Sequence, residues 1–195
     1  MTEFAAMDVP DLHQRASREF GERVRMIGDD QWKHATPCSD WDVRELVRHL
    51  VDENLWTPPL MEGSTIAEVG DRFEGDMLGD DPKGAFDAAA ARAIAAVHAE
   101  GAMDRTVHLS FGDFPGREYA MQLFADHLIH AWDLARALGI DERLDPELVA
   151  TCAEWFEPME EAYRGAGAIG PRPPVADDAD DQTRLLAKFG RNAGA

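Results

Sequence analysis

The chain is poor in cysteine, tyrosine and positive charge, and it contains no long apolar run. Two cysteines, Cys38 and Cys152, stand far apart among 195 residues. So few thiols exclude a disulfide framework and fit a reducing cytoplasm. Nineteen lysines and arginines face thirty-eight aspartates and glutamates, a net charge of −19. A surface that acidic argues against binding nucleic acid or an anionic membrane over a broad face. No stretch of about 18 apolar residues occurs, so no membrane-spanning helix is expected. The opening residues, Met1-Thr2-Glu3-Phe4-Ala5-Ala6-Met7-Asp8, lack a basic start followed by an apolar core. No secretory leader is expected there, and the cytoplasm is the expected location.

What remains is 45% apolar, enough to fold one domain with a sizeable core, with or without a tail. Residues from about Val9 to Gly28 predict an amphipathic helix with Leu12, Ala16, Phe20, Val24 and Ile27 on one face. Ser39, with Asp42 three residues on, reads as the cap of a second helix from about Trp41 to Trp56, stopped by Pro58-Pro59. Residues 62–80 read as a loop with a short helical turn. Asp81-Pro82 starts a third helix, about Lys83 to Glu100. Thr106 to Phe111 alternates weakly, and the turn residues after it suggest a short strand pair. A fourth helix is expected from Arg117 to Leu138, with Gly139 as its C-terminal cap. Asp145-Pro146 starts a fifth, reaching Tyr163. The Gly/Pro-rich residues 165–174 are a connector, and Gln182 to Phe189 predicts one or two further turns. The acidic runs at Asp80-Asp81 and Asp177 to Asp181 read as solvated loop or cap residues.

The pattern is all-α: an antiparallel helical bundle over residues 1–164 with a strand or loop excursion before the fourth helix. Residues 165–195 form a connector and a C-terminal segment packing back on it.

The fourth helix carries the chemistry. At about 100° per residue, Asp126, His130 and Asp133 share one stripe some 60° wide. Tyr119, Leu123 and Ala137 lie near it, so the stripe faces packing. An aspartate and a histidine at i and i+4 on an inward face suit a divalent metal. Such pairs also arise on ordinary packed helices, and His127 competes with Asp126 as the ligand. On the second helix, His49 flanks the apolar face of Val43, Leu46, Val47 and Leu50, in a polar seam with Asp42, Glu53 and Trp56. His49, Asp126 and His130 make a three-ligand set with an open position. Asp52, Glu53 and Asp133 stand nearby to orient imidazoles or move a proton. Cys38 has two readings, a nucleophile before the helix of His49 or a buried structural thiol. Trp41, Trp56 and Trp132 read as core or cavity wall, and His108 as a surface residue. Arg44, Arg48 and Arg136 could receive a carboxylate or simply be surface charges. No phosphate-binding glycine loop and no serine-hydrolase elbow is present.

Two motifs carry a resemblance. Thr36-Pro37-Cys38-Ser39-Asp40-Trp41-Asp42-Val43-Arg44-Glu45-Leu46-Val47-Arg48-His49-Leu50 resembles the start of the DinB-like, mycothiol-dependent maleylpyruvate isomerase N-terminal domain. His130-Ala131-Trp132-Asp133-Leu134-Ala135-Arg136-Ala137-Leu138-Gly139 resembles its second motif. With the closing Leu185-Leu186-Ala187-Lys188-Phe189-Gly190-Arg191, the likeness covers nearly the whole chain. It is nearest to small actinobacterial metal-binding proteins of that superfamily. The resemblance implies a DinB-like four-helix bundle holding zinc, or alternatively nickel, through His49, Asp126 and His130. Asp126 stands where the isomerase has Glu. The isomerase has a further C-terminal domain in its active site, and this chain ends about where that would begin. Isomerisation of maleylpyruvate is therefore not expected of it.

The resemblance also implies a low-molecular-weight thiol, mycothiol, as cosubstrate. The expected activity is a zinc-dependent thiol transferase or isomerase on small electrophiles, with Glu53 or Asp133 as the catalytic candidates. The alternatives are a non-catalytic metal-binding or stress-response protein and a metal-dependent hydrolase. A homodimer is compatible with a bundle of this size.

Overall fold

The structure, a computed structural model, describes residues 8–194. The reading of the first seven residues as lacking a leader lies outside the described residues. The described chain is mostly helical, with one small two-stranded sheet. In order it forms α1 (Val9–Arg25), α2 (Val43–Met61), α3 (Ile66–Val69), α4 (Pro82–Val97), β1 (Thr106–Leu109), β2 (Gly112–Pro115), α5 (Gly116–Leu138), α6 (Pro146–Phe156), α7 (Glu160–Gly165) and α8 (Asp181–Lys188). No described helix is long and apolar enough to cross a membrane.

Helix α1 packs on α5 and α4, and α2 on α4 and α5. The apolar face predicted for α1 is the one buried: Leu12, Ala16, Phe20, Val24 and Ile27 are at most 5% exposed. Helix α5 is the centre of this arrangement. Of its second half, His127 to Ala135 is buried throughout. Its start demands glycine, because a Cβ on Gly116 would lie 1.9 Å from the carbonyl of Ala102. Its end is closed by Gly139 at φ 67°, the left-handed geometry expected of that residue.

Three expectations are corrected. The cap of α2 is Asp42, whose side chain accepts from Glu45 N–H while Glu45 returns to the Asp42 N–H. Aspartate with glutamate three residues on completes a reciprocal box that Ser39 with Asp42 does not. Pro58-Pro59 do not stop α2, which runs on to Met61. A mid-helix proline costs about 3 kcal/mol. Burying Leu60 and Met61 offsets much of that, at about 2 kcal/mol each, and both are at most 3% exposed. The Thr57 hydroxyl also donates to the Glu53 carbonyl at 2.8 Å, tying down that turn. Finally, the expected fifth helix is two, α6 and α7, broken around Pro158, where the missing N–H and the restricted residue before it interrupt the ladder.

The excursion before α5 is a hairpin, with Thr106 opposite Pro115 and His108 opposite Asp113. His108 bonds Asp113 at 2.7 Å on its exposed face. Asp81 and Asp180 are helix caps, accepting from Gly84 and Thr183 N–H.

Candidate metal centre

Helices α2 and α5 lie side by side, and each presents a polar residue to the other where the apolar faces end. The result is a tight triad. Asp126 sits between two imidazoles, with Oδ2 3.0 Å from His49 Nε2 and Oδ1 3.3 Å from His130 Nε2. The ligand atoms of the three residues all lie within 4.8 Å of one another. Trp41 closes one side, its ring 4.8 Å from that of His49 and 5.7 Å from that of His130. The loop before α2 holds Trp41 there through the Thr36 hydroxyl, which donates to its carbonyl at 2.8 Å.

A second layer lies behind His130. Its Nδ1 is 2.8 Å from Asp133 Oδ2, and Asp133 is fully buried. Arg191 reaches the same carboxylate from the far end of the chain, Nη2 to Oδ2 at 2.9 Å and Nε to Oδ1 at 3.3 Å. Gly190, at φ 79° and against the backbone of Gly170, turns the chain after α8 so that Arg191 points inward. Cys38 Sγ completes the layer, 3.4 Å from both Asp133 Oδ2 and Arg191 Nη2 and 3.9 Å from His130 Nδ1.

The electrostatics follow from this geometry. Burial raises a carboxyl pKa, but the two imidazoles outweigh it at Asp126 and hold it well below the usual range. Burial opposes charge on His130, yet Asp126 and Asp133 hold its pKa well above 6.5. His49 is raised for the same reason, with Asp126 overcoming burial. At Asp133, His130 and Arg191 overcome burial and bring the pKa to about 2. At Glu53, one turn after His49, the two imidazoles compensate less. Burial, reinforced by the Asp126 charge, pushes its carboxyl up to about 7.

Two imidazole nitrogens and a carboxylate are the donor set of a divalent zinc-type site. The Asp133 bond to Nδ1 of His130 fixes the tautomer that leaves Nε2 free for an ion. The shorter Asp126 side chain still reaches both histidines. Cys38, His130 and Asp133 form a second close group. There, however, the Arg191 guanidinium is bonded to both sulfur and carboxylate, so a divalent ion would meet a cation. The residues of the first group fit a metal; those of the second do not.

His127, the rival to Asp126, turns into the core instead. Its Nδ1 bonds the Leu123 carbonyl at 2.8 Å, and its ring meets His13 at 5.4 Å and Phe20 at 6.3 Å. Asp42 caps α2 and pairs with Lys33 at 2.8 Å, so it takes no part in a seam with His49. Arg44 pairs with Asp76, Arg48 with Asp52 and Arg136 with Glu142. Trp56 meets Phe73 edge-to-face, and Trp132 lies under Arg136. Of the two readings of Cys38, a histidine does stand beside the thiol: it is His130, from α5. Arg191, in the closing motif, anchors Asp133. Its partner lies 58 residues earlier in the chain, and no local spacing signals it.

The open side of the triad faces a cavity of about 660 Å³. His49, Glu53 and Asp126 lie on its floor. Its walls come from α5, the hairpin, α6, α7 and the segment after α8, and they are mainly aromatic and aliphatic.

The sequence profile of the mycothiol maleylpyruvate isomerase N-terminal domain matches residues 13–135. Two relatives are 33% identical over 181 residues, covering 88% of this chain and 88% of each relative. They are the uncharacterized proteins MT0763 and Rv0738 of two Mycobacterium tuberculosis strains, CDC 1551 / Oshkosh and ATCC 25618 / H37Rv. No solved structure matches the chain.

Proposed function

The chain belongs to the mycothiol maleylpyruvate isomerase N-terminal domain family, and on that premise we propose that it is a zinc-type metalloprotein that transfers or reversibly adds a small thiol, of the mycothiol kind, to small electrophiles. In this reading α1, α2, α4 and α5 are a DinB-like antiparallel four-helix bundle, and residues 165–195 are a strap closing over it. The observation that carries the proposal is the Asp126 carboxylate bridging His49 and His130 on the floor of an apolar cavity.

His49 Nε2, Asp126 and His130 Nε2 would hold the ion, zinc or alternatively nickel, which when bound would supply the Lewis acidity that lowers a thiol pKa. Asp133 keeps the proton on Nδ1 of His130 and so aims that ligand. Glu53, which lines the cavity beside His49 and Asp126, accepts the thiol proton and returns it at the end of the cycle. The apolar walls keep water from competing with the sulfur. In transfer, the sulfur forms a bond to the electrophilic carbon and the leaving group departs with its bonding pair. In isomerisation, the sulfur adds to a carbon–carbon double bond, the resulting single bond rotates, and the thiol is expelled.

The test is a titration of mycothiol by ultraviolet thiolate absorbance, with zinc-loaded protein and with His49→Ala taken through the same zinc loading and removal of free zinc. The thiol pKa is expected to fall in the wild-type complex and to stay at its free value with the variant. An unchanged pKa in the zinc-loaded wild type would rule out thiol activation. A non-catalytic metal-binding protein would then be the better description.

A further inference from the structure

We propose that the electrophile taken by this cavity is an uncharged molecule with an aromatic or branched apolar body. This rests on the thiol-transfer reading above and adds the chemical class of the second substrate. A volume of about 660 Å³ is that of a small-molecule site. Its upper walls are Phe111 and Phe114 of the hairpin, Trp155 and Phe156 of α6, Tyr163 of α7 and Phe189 after α8. These rings already pack on one another: Phe156 stacks on Phe189 at 4.0 Å and meets Tyr163 at 5.4 Å, and Phe111 meets Phe114 at 5.3 Å. Four of the six come from beyond Ala135, where the family match ends. The cavity's character is therefore set by this chain's own C-terminal third.

The charges point the same way. Arg191 is the one lysine or arginine among the described residues that line the cavity, and its guanidinium is committed to the buried Asp133. The other charged side chains near the walls are Glu53, Glu118 and Asp126, with His49 bonded to the last. Glu118 accepts from the Trp155 indole at 3.4 Å, which fixes a carboxylate beside the largest ring. Beside Glu53 and the Trp155-bonded Glu118, an anionic body held between the aromatic walls would lose its water and find no uncommitted lysine or arginine to replace it. A neutral apolar one loses only ordered water. Phe111, 67% exposed at the hairpin tip, gives that ligand an apolar mouth to enter by.

The probes are a matched pair of dyes: uncharged N-phenyl-1-naphthylamine, and 1-anilinonaphthalene-8-sulfonate, which has the same rings plus a sulfonate. Both are titrated by fluorescence into zinc-loaded and metal-free protein, at a salt concentration that screens the net charge. The neutral dye should bind at least about tenfold more tightly than the sulfonate. Ala162→Trp, on the cavity side of α7, should weaken the neutral dye by about tenfold or more while leaving metal content unchanged. Glu118→Lys should narrow the gap between the two dyes. Equal or tighter binding of the sulfonate by the wild type would overturn the proposal, as would absence of dye binding or an unaltered affinity in folded Ala162→Trp. Should Ala162→Trp not fold, the wild-type dye pair decides. Dye preference intact in a protein that leaves the thiol pKa unchanged would sink thiol transfer and leave the ligand class standing.

Discussion

His127 and His130 are three residues apart on one helix and meet opposite fates. His130 stands between two carboxylates, Asp126 and Asp133, and its pKa is held well above the ordinary value. His127 stands against Phe20 and a second buried histidine, His13, and burial lowers its pKa to about 4. His13 is lowered as well, first by burial and then by His127. Both ring nitrogens of His13 and Nε2 of His127 have no hydrogen-bond partner among the described residues. His13–His127 and His49–His130 are both pairs of neighbouring histidine rings, with centroids 5.4 and 5.2 Å apart. What separates a metal-competent histidine from a core one is the neighbouring carboxylate, here Asp126, which itself lines the cavity. Burial alone does not distinguish them, since His127 and His130 are both buried.

The largest effect should come from removing a triad histidine. His130→Ala or His49→Ala is expected to lower zinc affinity by about a thousandfold or more, measured by competition with a chelator of known affinity. His127→Leu should leave zinc affinity within about twofold, since it removes no ligand. Loss of zinc in His127→Leu, with the fold intact, would erase the distinction drawn between the pairs.

Acid should separate them next. The buried His127 stays neutral in the fold, while the unfolded chain takes up protons below about 6.5. Its contribution is fully present above that pH and is lost as pH falls toward about 4, the folded value. The loss at the bottom of that window is on the order of 3 kcal/mol for His127. Denaturant unfolding between pH 7 and pH 4 measures it, and His127→Leu or His13→Leu should flatten the profile. His49 and His130 act with the opposite sign in the metal-free protein. Their pKa values are raised by Asp126, so their pairing stabilises the fold at low pH and fades as pH rises through those values.

Glu53 gives a kinetic effect. Its carboxyl accepts a proton only when ionised, and burial raises its pKa in the metal-free protein, so thiol-dependent turnover should rise with pH through the pKa of Glu53, at a value that the bound ion lowers. Glu53→Gln should cost about a hundredfold in kcat and remove that inflection. A retained inflection in the variant would assign the proton step to another group.

The smallest effect belongs to the layer behind His130. Arg191→Ala leaves Asp133 buried without its guanidinium and frees His130 to shift, which should weaken zinc binding by about ten- to a hundredfold. Arg191→Lys should recover part of it. An unchanged affinity in Arg191→Ala would make the C-terminal segment a mere cover over the site.

How far the sequence discloses this depends on distance along the chain. Local signals were legible: the α1 face, Gly139 closing α5, the hairpin, and the capping aspartates Asp81 and Asp145. The stripe of Asp126, His130 and Asp133 was legible too, because one helix sets their spacing. Helical periodicity also placed His49 on the flank of α2, though nothing local says it meets Asp126. Pro58-Pro59 misled because burial of Leu60 and Met61 is a tertiary gain that no local rule contains. The contacts among Cys38, Asp133 and Arg191 span up to 153 residues, and no periodicity reaches that far. The aromatic cavity was hidden for the same reason, its walls coming from five separate segments.

The most direct test is elemental analysis of protein purified without a histidine tag, comparing wild type, His130→Ala and His127→Leu. Near-stoichiometric zinc or nickel in the wild type and in His127→Leu, with none in His130→Ala, is the predicted result. A wild type that holds no divalent metal even after reloading would contradict the metal centre, and the Asp126–His130 pair would then be an ordinary buried ion pair.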